Sequence, residues 1–231
     1  HLAFLYLAGT IARHYVKDEA LARRLRSLHT TSKGRIEGAT SKGLKQKNRK
    51  RLRQLDNPEN VEALLALPAR VHHRVSKVEK PTHADAVMVM RAVQVALLTC
   101  APIRLKNLVG LRIGTSFVDF GKGGHRRVRI ELTERETKTQ IDYSAPVAKR
   151  FHPLIDAWID IYRPIICSVP SDYLFPSNSG GMRNKGSVGT YLKGFIQRET
   201  GMVINPHLFR HWSAKVILEA DPNNIEGARQ L

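Results

Sequence analysis

The 231-residue sequence predicts a mainly α-helical α+β fold that carries one small three-stranded antiparallel sheet. Three observations lead there. Between Leu111 and Ala145 the apolar residues fall into short, alternating, β-branched runs, whereas on either side they recur at helical spacing. The helical stretches open on strong start signals, Asp56-Asn57-Pro58-Glu59 and Asn205-Pro206, in which a side chain can cap and a proline suits the first turn. The alternating runs are separated by Gly121-Lys122-Gly123-Gly124 and by Glu134 to Thr139, turn-like segments of hairpin length.

In chain order, Leu2 to about Leu28 has helical spacing with Arg13, Lys17, Arg23, Arg24 and Arg26 on a basic side. Its apolar beginning, Leu2 to Ala8, lacks the basic leader and cleavage site of a signal peptide and reads as a packed helix. Because the chain opens on His1 rather than methionine, its true start is expected further upstream, and residues 1–29 are expected to be the remnant of a helical domain. Residues 30–55 read as a basic linker: a Thr, Ser, Gly and Lys stretch, then the cationic run Lys45, Lys47, Arg49, Lys50, Arg51 and Arg53. Residues 56–231 form the main domain.

Within it, Val61, Leu64, Leu65 and Leu67 make an apolar stripe before Pro68. Thr82 and Asp85 suit a capping arrangement for a helix through Thr99 that is apolar nearly all round and therefore central. Strands are expected at Thr115–Phe120, His125–Leu132 and Gln140–Ala145. Helices resume at Pro146–Arg163, Val188–Glu199 and from Asn205, the last burying Leu208, Phe209, Trp212 and Val216. The glycine cluster at 121–124 lacks the spacing of a phosphate loop and reads as a hairpin turn.

A net charge of +18 and a pI near 10.4 point to a polyanionic partner, most simply nucleic acid, with binding that weakens steeply with salt. Cys100 and Cys167 sit in apolar text without histidines at metal spacing, so they read as buried thiols in a reducing compartment. No apolar run is expected to span a membrane.

Three places carry chemistry. Arg104 stands where the central helix ends and a new apolar helix begins. Lys138 lies at the tip of the second hairpin, able to reach into a groove. His207 precedes Arg210 by three residues and His211 by four, so all three share one surface of a helix start, where an anion is favoured and a proton can be moved beside it.

This order resembles the tyrosine recombinases, the phage integrase family, over roughly Asp56 to Leu231. Thr99 to Asn107 matches the family's first arginine box, with Arg104 on the arginine, Pro102 where a glycine is usual and Asn107 in place of the usual acid. Lys138-Thr139 fits the family's lysine between its second and third strands. His207, Arg210 and His211 reproduce its His-x-x-Arg-His box. The resemblance implies a tyrosine-recombinase-like catalytic domain, preceded by the last helices of a DNA-core-binding domain. It also implies transesterification of double-stranded DNA through a 3′-phosphotyrosine. Arg104 and Arg210 would clamp the scissile phosphate, Lys138 would protonate the departing 5′ oxygen, His207 would assist the attacking phenol, and His211 would support its neighbours. The cationic run from Lys45 to Arg53 would hold the phosphate backbone. The resemblance further implies no metal or cofactor, a homo-oligomer on DNA when full length, and a cytoplasmic, nucleoid-associated place in a bacterium or phage-infected cell.

The family's nucleophilic tyrosine follows a Leu-Gly-His segment that is expected beyond Leu231, so this fragment is not expected to cut DNA by itself. Two alternatives stay open on the sequence: a non-catalytic DNA-binding module of the same fold, and a basic RNA-binding protein in which Arg104, Lys138 and Arg210 do not converge.

Overall fold

The computed structural model describes residues 19–25, 27–28, 46–120, 127–137 and 140–230, the side chains of 229 and 230 excepted. The chain divides into two compact units, His1–Arg49 and Lys50–Leu231, with the division falling inside helix α1 (Gln46–Leu52). In the first unit, residues 19–25 and 27–28 are helical.

The second unit is mainly helical. Helix α2 (Pro58–Val75) starts as expected, the Asn57 side chain accepting from the Glu59 amide at 2.9 Å, but it runs through Pro68 instead of stopping there. An interior proline costs about 3 kcal/mol. Burial of Leu64, Leu67, Val71 and Val75 on one stripe, at roughly 1.5–3 kcal/mol per side chain, outweighs it. Helix α3 (His83–Cys100) opens on a full capping box: the Asp85 amide donates to Thr82 Oγ1 at 3.3 Å and the Thr82 amide donates to the Asp85 carboxylate at 2.8 Å. With a mean hydropathy of 1.2 over 18 residues, α3 is long and apolar enough to cross a membrane, contrary to the sequence-based expectation. Here it is packed inside the domain, with Ala86, Val89, Val93, Ala96 and Leu97 fully buried.

After the short helix α4 (Leu105–Gly110) comes the antiparallel sheet, in the order β1 (Phe117–Phe120), β2 (Arg127–Leu132), β3 (Tyr143–Pro146). Phe117 faces Ile130 and Ile130 faces Ala145, so one buried row crosses all three strands, and Val128 and Leu132 extend the same face. Strands β1 and β3 are shorter than the sequence suggests. Ser116 is drawn into the turn before β1, where its hydroxyl accepts from the Arg112 amide, and Gln140 adopts a left-handed φ of 54° that ends the hairpin rather than starting β3.

The helical stretch expected from Pro146 to Arg163 starts later and comes in several pieces. Pro146 closes β3, a 3₁₀ turn covers Lys149–Phe151, and α5 (His152–Ala157) passes through a π-helical turn (Trp158–Tyr162) into α6 (Arg163–Ile166). Pro153 and Pro164 each sit in a first turn, the place where a missing amide is tolerated. Trp158 is fully buried and donates to the Leu174 carbonyl at 3.0 Å, while the Tyr162 hydroxyl donates to the Val75 carbonyl at 3.2 Å.

Helix α7 (Lys185–Thr200) is capped by Asn184 and ended by Gly201 at φ 75°; helix α8 (Pro206–Ala220) follows, then α9 (Ile225–Gln230). On α8 Leu208 and Phe209 are buried, but Trp212 is only half-buried and Val216 is 46% exposed. The expected core stripe thus ends after one turn, and Trp212 and Val216 instead line an open apolar groove with Leu55, Val61 and Leu65. Among the described residues both cysteines are free thiols, Cys167 buried and Cys100 half-buried.

Candidate active site

The site is assembled from three helix starts. At the end of α3 the chain turns through Ala101-Pro102-Ile103, whose Ala101 and Ile103 are buried, and Arg104 caps α4 in an extended conformation with its carbonyl accepting from Leu108 at 2.9 Å. Two buried neighbours fix the backbone, so the arginine is held at the wall rather than at a loose tip. On α8, the Asn205 side chain accepts from the His207 and Leu208 amides at 3.1 and 3.3 Å. With Leu208 and Phe209 anchored in the core, His207 and Arg210 take the opposite face. The third wall is α7. A Cβ on Gly189 would come within 2.9 Å of Leu105, so the glycine lets α7 lie close against α4 and brings Lys185, Thr190 and Lys193 to the cleft. The cleft, of about 380 Å³, is lined by these residues together with Arg51, Arg104, Asn205, His207 and Arg210.

Its electrostatics are one-sided. Arg210 Nη1 donates to the Pro102 carbonyl at 3.0 Å, which ties α8 to the segment carrying Arg104. Among the described residues neither arginine has a carboxylate partner. Burial, and then the positive charge of Arg104, push Arg210 down to about 10, with the Tyr143 phenol acting the other way. It remains a cation at neutral pH. The same causes act on the imidazoles: burial first, then Arg210 and Arg104, lower His207; burial, then His207 and Arg210, lower His211. The two rings stand perpendicular, centroids 4.6 Å apart and Nε2 atoms 3.1 Å apart. Two unpaired guanidinium groups held in one half-buried cleft repel each other, and an anion bound between them removes the penalty.

The depressed histidines set a pH dependence. An imidazole whose folded pKa lies below its unfolded value of 6.5 takes up its proton more readily unfolded, so its contribution is complete above about pH 6.5 and is lost as pH falls. Melting temperature should therefore decline from pH 7 toward pH 5, and His207→Gln, which has no proton to take up, should flatten that decline in a calorimetric series.

Of the residues expected from the sequence, the structure brings Arg104, His207 and Arg210 to one cleft, with Arg51 beside them. His211 touches His207 without lining the cleft itself. Lys138 and Lys45 lie outside the described residues. Lys47, Arg49, Lys50 and Arg53 are exposed. Lys185, Thr190 and Lys193 were not expected. Their signal in the sequence is one helical face on which two lysines eight residues apart flank Gly186 and Gly189. Tyr143, whose phenol acts on Arg210 from β3, leaves no such signal.

No protein-family model and no curated protein matches the sequence. Solved structures do. The XerH site-specific recombinase bound to difH substrate in a pre-cleavage complex is similar at TM-score 0.51 and 18% identity, over 75% of this chain and 45% of that one. Its post-cleavage complex with a palindromic difH substrate gives TM-score 0.52 and 16% identity, over 75% and 44%. The chain spans less than half the length of those recombinases. At such identities the likeness is one of architecture: the mainly helical unit with its three-stranded antiparallel sheet has the fold of a tyrosine-recombinase catalytic domain.

Proposed function

We propose that this chain carries the catalytic domain of a site-specific DNA recombinase, an integrase that cuts and rejoins duplex DNA through a 3′-phosphotyrosine and acts as a homo-oligomer on its site. The single observation behind this reading is the convergence of Arg104 and Arg210, neither paired to a carboxylate among the described residues, with His207 in one cleft. Two fixed guanidinium forks are suited to the non-bridging oxygens of a phosphodiester, where negative charge accumulates as the phosphorus becomes five-coordinate. The fixed positive groups supply electrostatic stabilisation where the charge develops. His207, neutral at physiological pH because burial and the arginines hold it so, is in the state a general base requires. Lys138, which falls between β2 and β3 in the sequence, is the proposed acid for the departing 5′ oxygen. Arg51, Lys185 and Lys193 extend the positive wall toward flanking phosphates.

The described lining of the cleft contains no tyrosine, so the attacking phenol is assigned to a part of the full-length protein outside that lining. The same observation favours a second reading, a DNA-binding module of this fold without chemistry. A suicide substrate separates them: full-length protein is incubated with nicked duplexes of randomised core sequence, and a covalent protein–DNA adduct is sought on a denaturing gel. Recombinase chemistry gives an adduct that Arg104→Ala removes while duplex binding persists; binding without any adduct supports the second reading.

A further inference from the structure

His207 and His211 lie one turn apart on α8 with Nε2 facing Nε2 at 3.1 Å. Two neutral imidazoles can share such a contact only if one carries Nε2–H and the other presents a lone pair there, so the two rings must be opposite tautomers. Among the described residues, the charges that lower the pair are Arg210 on α8 itself and Arg104 from the start of α4; Arg51, Lys185 and Lys193 share the cleft with His207, the Tyr143 phenol of β3 acts on Arg210, and one turn beyond His211 on α8 stands Lys215, paired to Asp56 and Glu219. Burial first, and those charges after it, lower both rings, and the pair is uncharged at neutral pH. The rings are not equivalent. His207 lines the cleft and is acted on by both arginines, whereas the charges acting on His211 are His207 and Arg210, and it does not line the cleft. Since His211 occupies Nε2 of His207, Nδ1 is the nitrogen His207 has left for a ligand.

We propose that His211 is a positioning residue: its Nε2 accepts the Nε2–H of His207, which leaves a basic Nδ1 on His207 for the cleft, and it receives that proton when Nδ1 becomes protonated. The opposite pairing would put the proton on Nδ1 and leave no base in the cleft. The relay rests on the phosphoryl-transfer reading given above. As the phenol oxygen forms its bond to phosphorus, its proton passes to His207 Nδ1 and the Nε2 proton of His207 passes to His211. The P–O5′ bond breaks with its electron pair on oxygen, which takes a proton from the acid assigned to Lys138. The positive charge ends one ring further from Arg104, a gain under repulsion between like charges.

Two experiments test this. Long-range ¹H–¹⁵N spectra of the 231-residue protein at pH 7.5, without DNA, should show His207 as the Nε2–H tautomer and His211 as Nδ1–H; the reverse assignment overturns the proposal whatever the protein does. With full-length protein and the nicked duplexes, His211→Ala should slow adduct formation about tenfold, part of the ~10²–10⁴ that positioned acid–base groups supply. It should also move the acidic limb of the pH profile to lower pH, because the His207 imidazolium loses its acceptor. His211→Gln, whose amide oxygen can accept, should restore the limb. An unmoved limb beside the expected tautomers overturns the relay alone. No adduct with any variant, wild type included, overturns it together with the recombinase reading.

Discussion

Under the recombinase reading proposed above, Arg210→Ala is expected to slow formation of the covalent adduct by about 10²–10³-fold or more, the usual loss when one donor to a developing oxyanion is removed. Arg210 is well placed for so large an effect because it is half-buried, its Nη1 is fixed on the Pro102 carbonyl, and no carboxylate among the described residues competes for its charge. Stability should respond little. The variant loses one hydrogen bond from a charged donor, about 1.5–3 kcal/mol, but it also removes the burial of a charge and the repulsion with Arg104 that together hold Arg210 near 10. Single-turnover adduct assays and thermal melts on the same preparations separate the two quantities. Arg210→Lys sharpens the comparison, since it keeps a point charge and gives up the fork, and recovery of only a small part of the rate is expected. Full activity in Arg210→Ala would remove the phosphate clamp from the mechanism.

The second large effect lies in the core. Trp158→Ala is expected to destabilise the domain by about 3–5 kcal/mol, a fall in melting temperature of roughly 6–20 °C for a domain this size. Trp158 is fully buried in the π-helical turn, its ring is 6.0 Å from that of Phe175, and its indole N–H satisfies the Leu174 carbonyl. Removing it leaves a cavity and a buried carbonyl without its donor. Because Trp158 is absent from the cleft lining, the loss should be one of folded population: below the new melting transition, duplex binding per folded molecule should match wild type. Chemical denaturation monitored by circular dichroism, paired with binding at low temperature, checks both halves. A melting temperature within about 3 °C of wild type would contradict the packing account.

How much of this was readable in advance differs by element. The capping box at Thr82, the asparagine caps at Asn57 and Asn205, and the two changes of period around the sheet are local signals, decided within a few residues, and the structure follows them. Pro68 and Val216 went the other way. Whether a helix survives an interior proline, and how long a helix face stays buried, depend on which neighbours arrive, and here α2 gains a buried stripe past Pro68 while α8 leaves the core after Phe209.

The sequence by itself determined the chemical inventory: which guanidinium and imidazole groups exist, that His207, Arg210 and His211 share one helix face, and that the chain carries a net charge of +18. Only the tertiary structure decided that Arg104, 106 positions before Arg210, meets it across the Pro102 carbonyl, and that α7 closes the wall with Lys185 and Lys193 through the close approach at Gly189. The reason is physical. Periodicity and capping act over one or two turns, whereas bringing like charges together from distant segments costs free energy that burial of the helices beneath them, Leu208, Phe209 and the walls of α3, must offset.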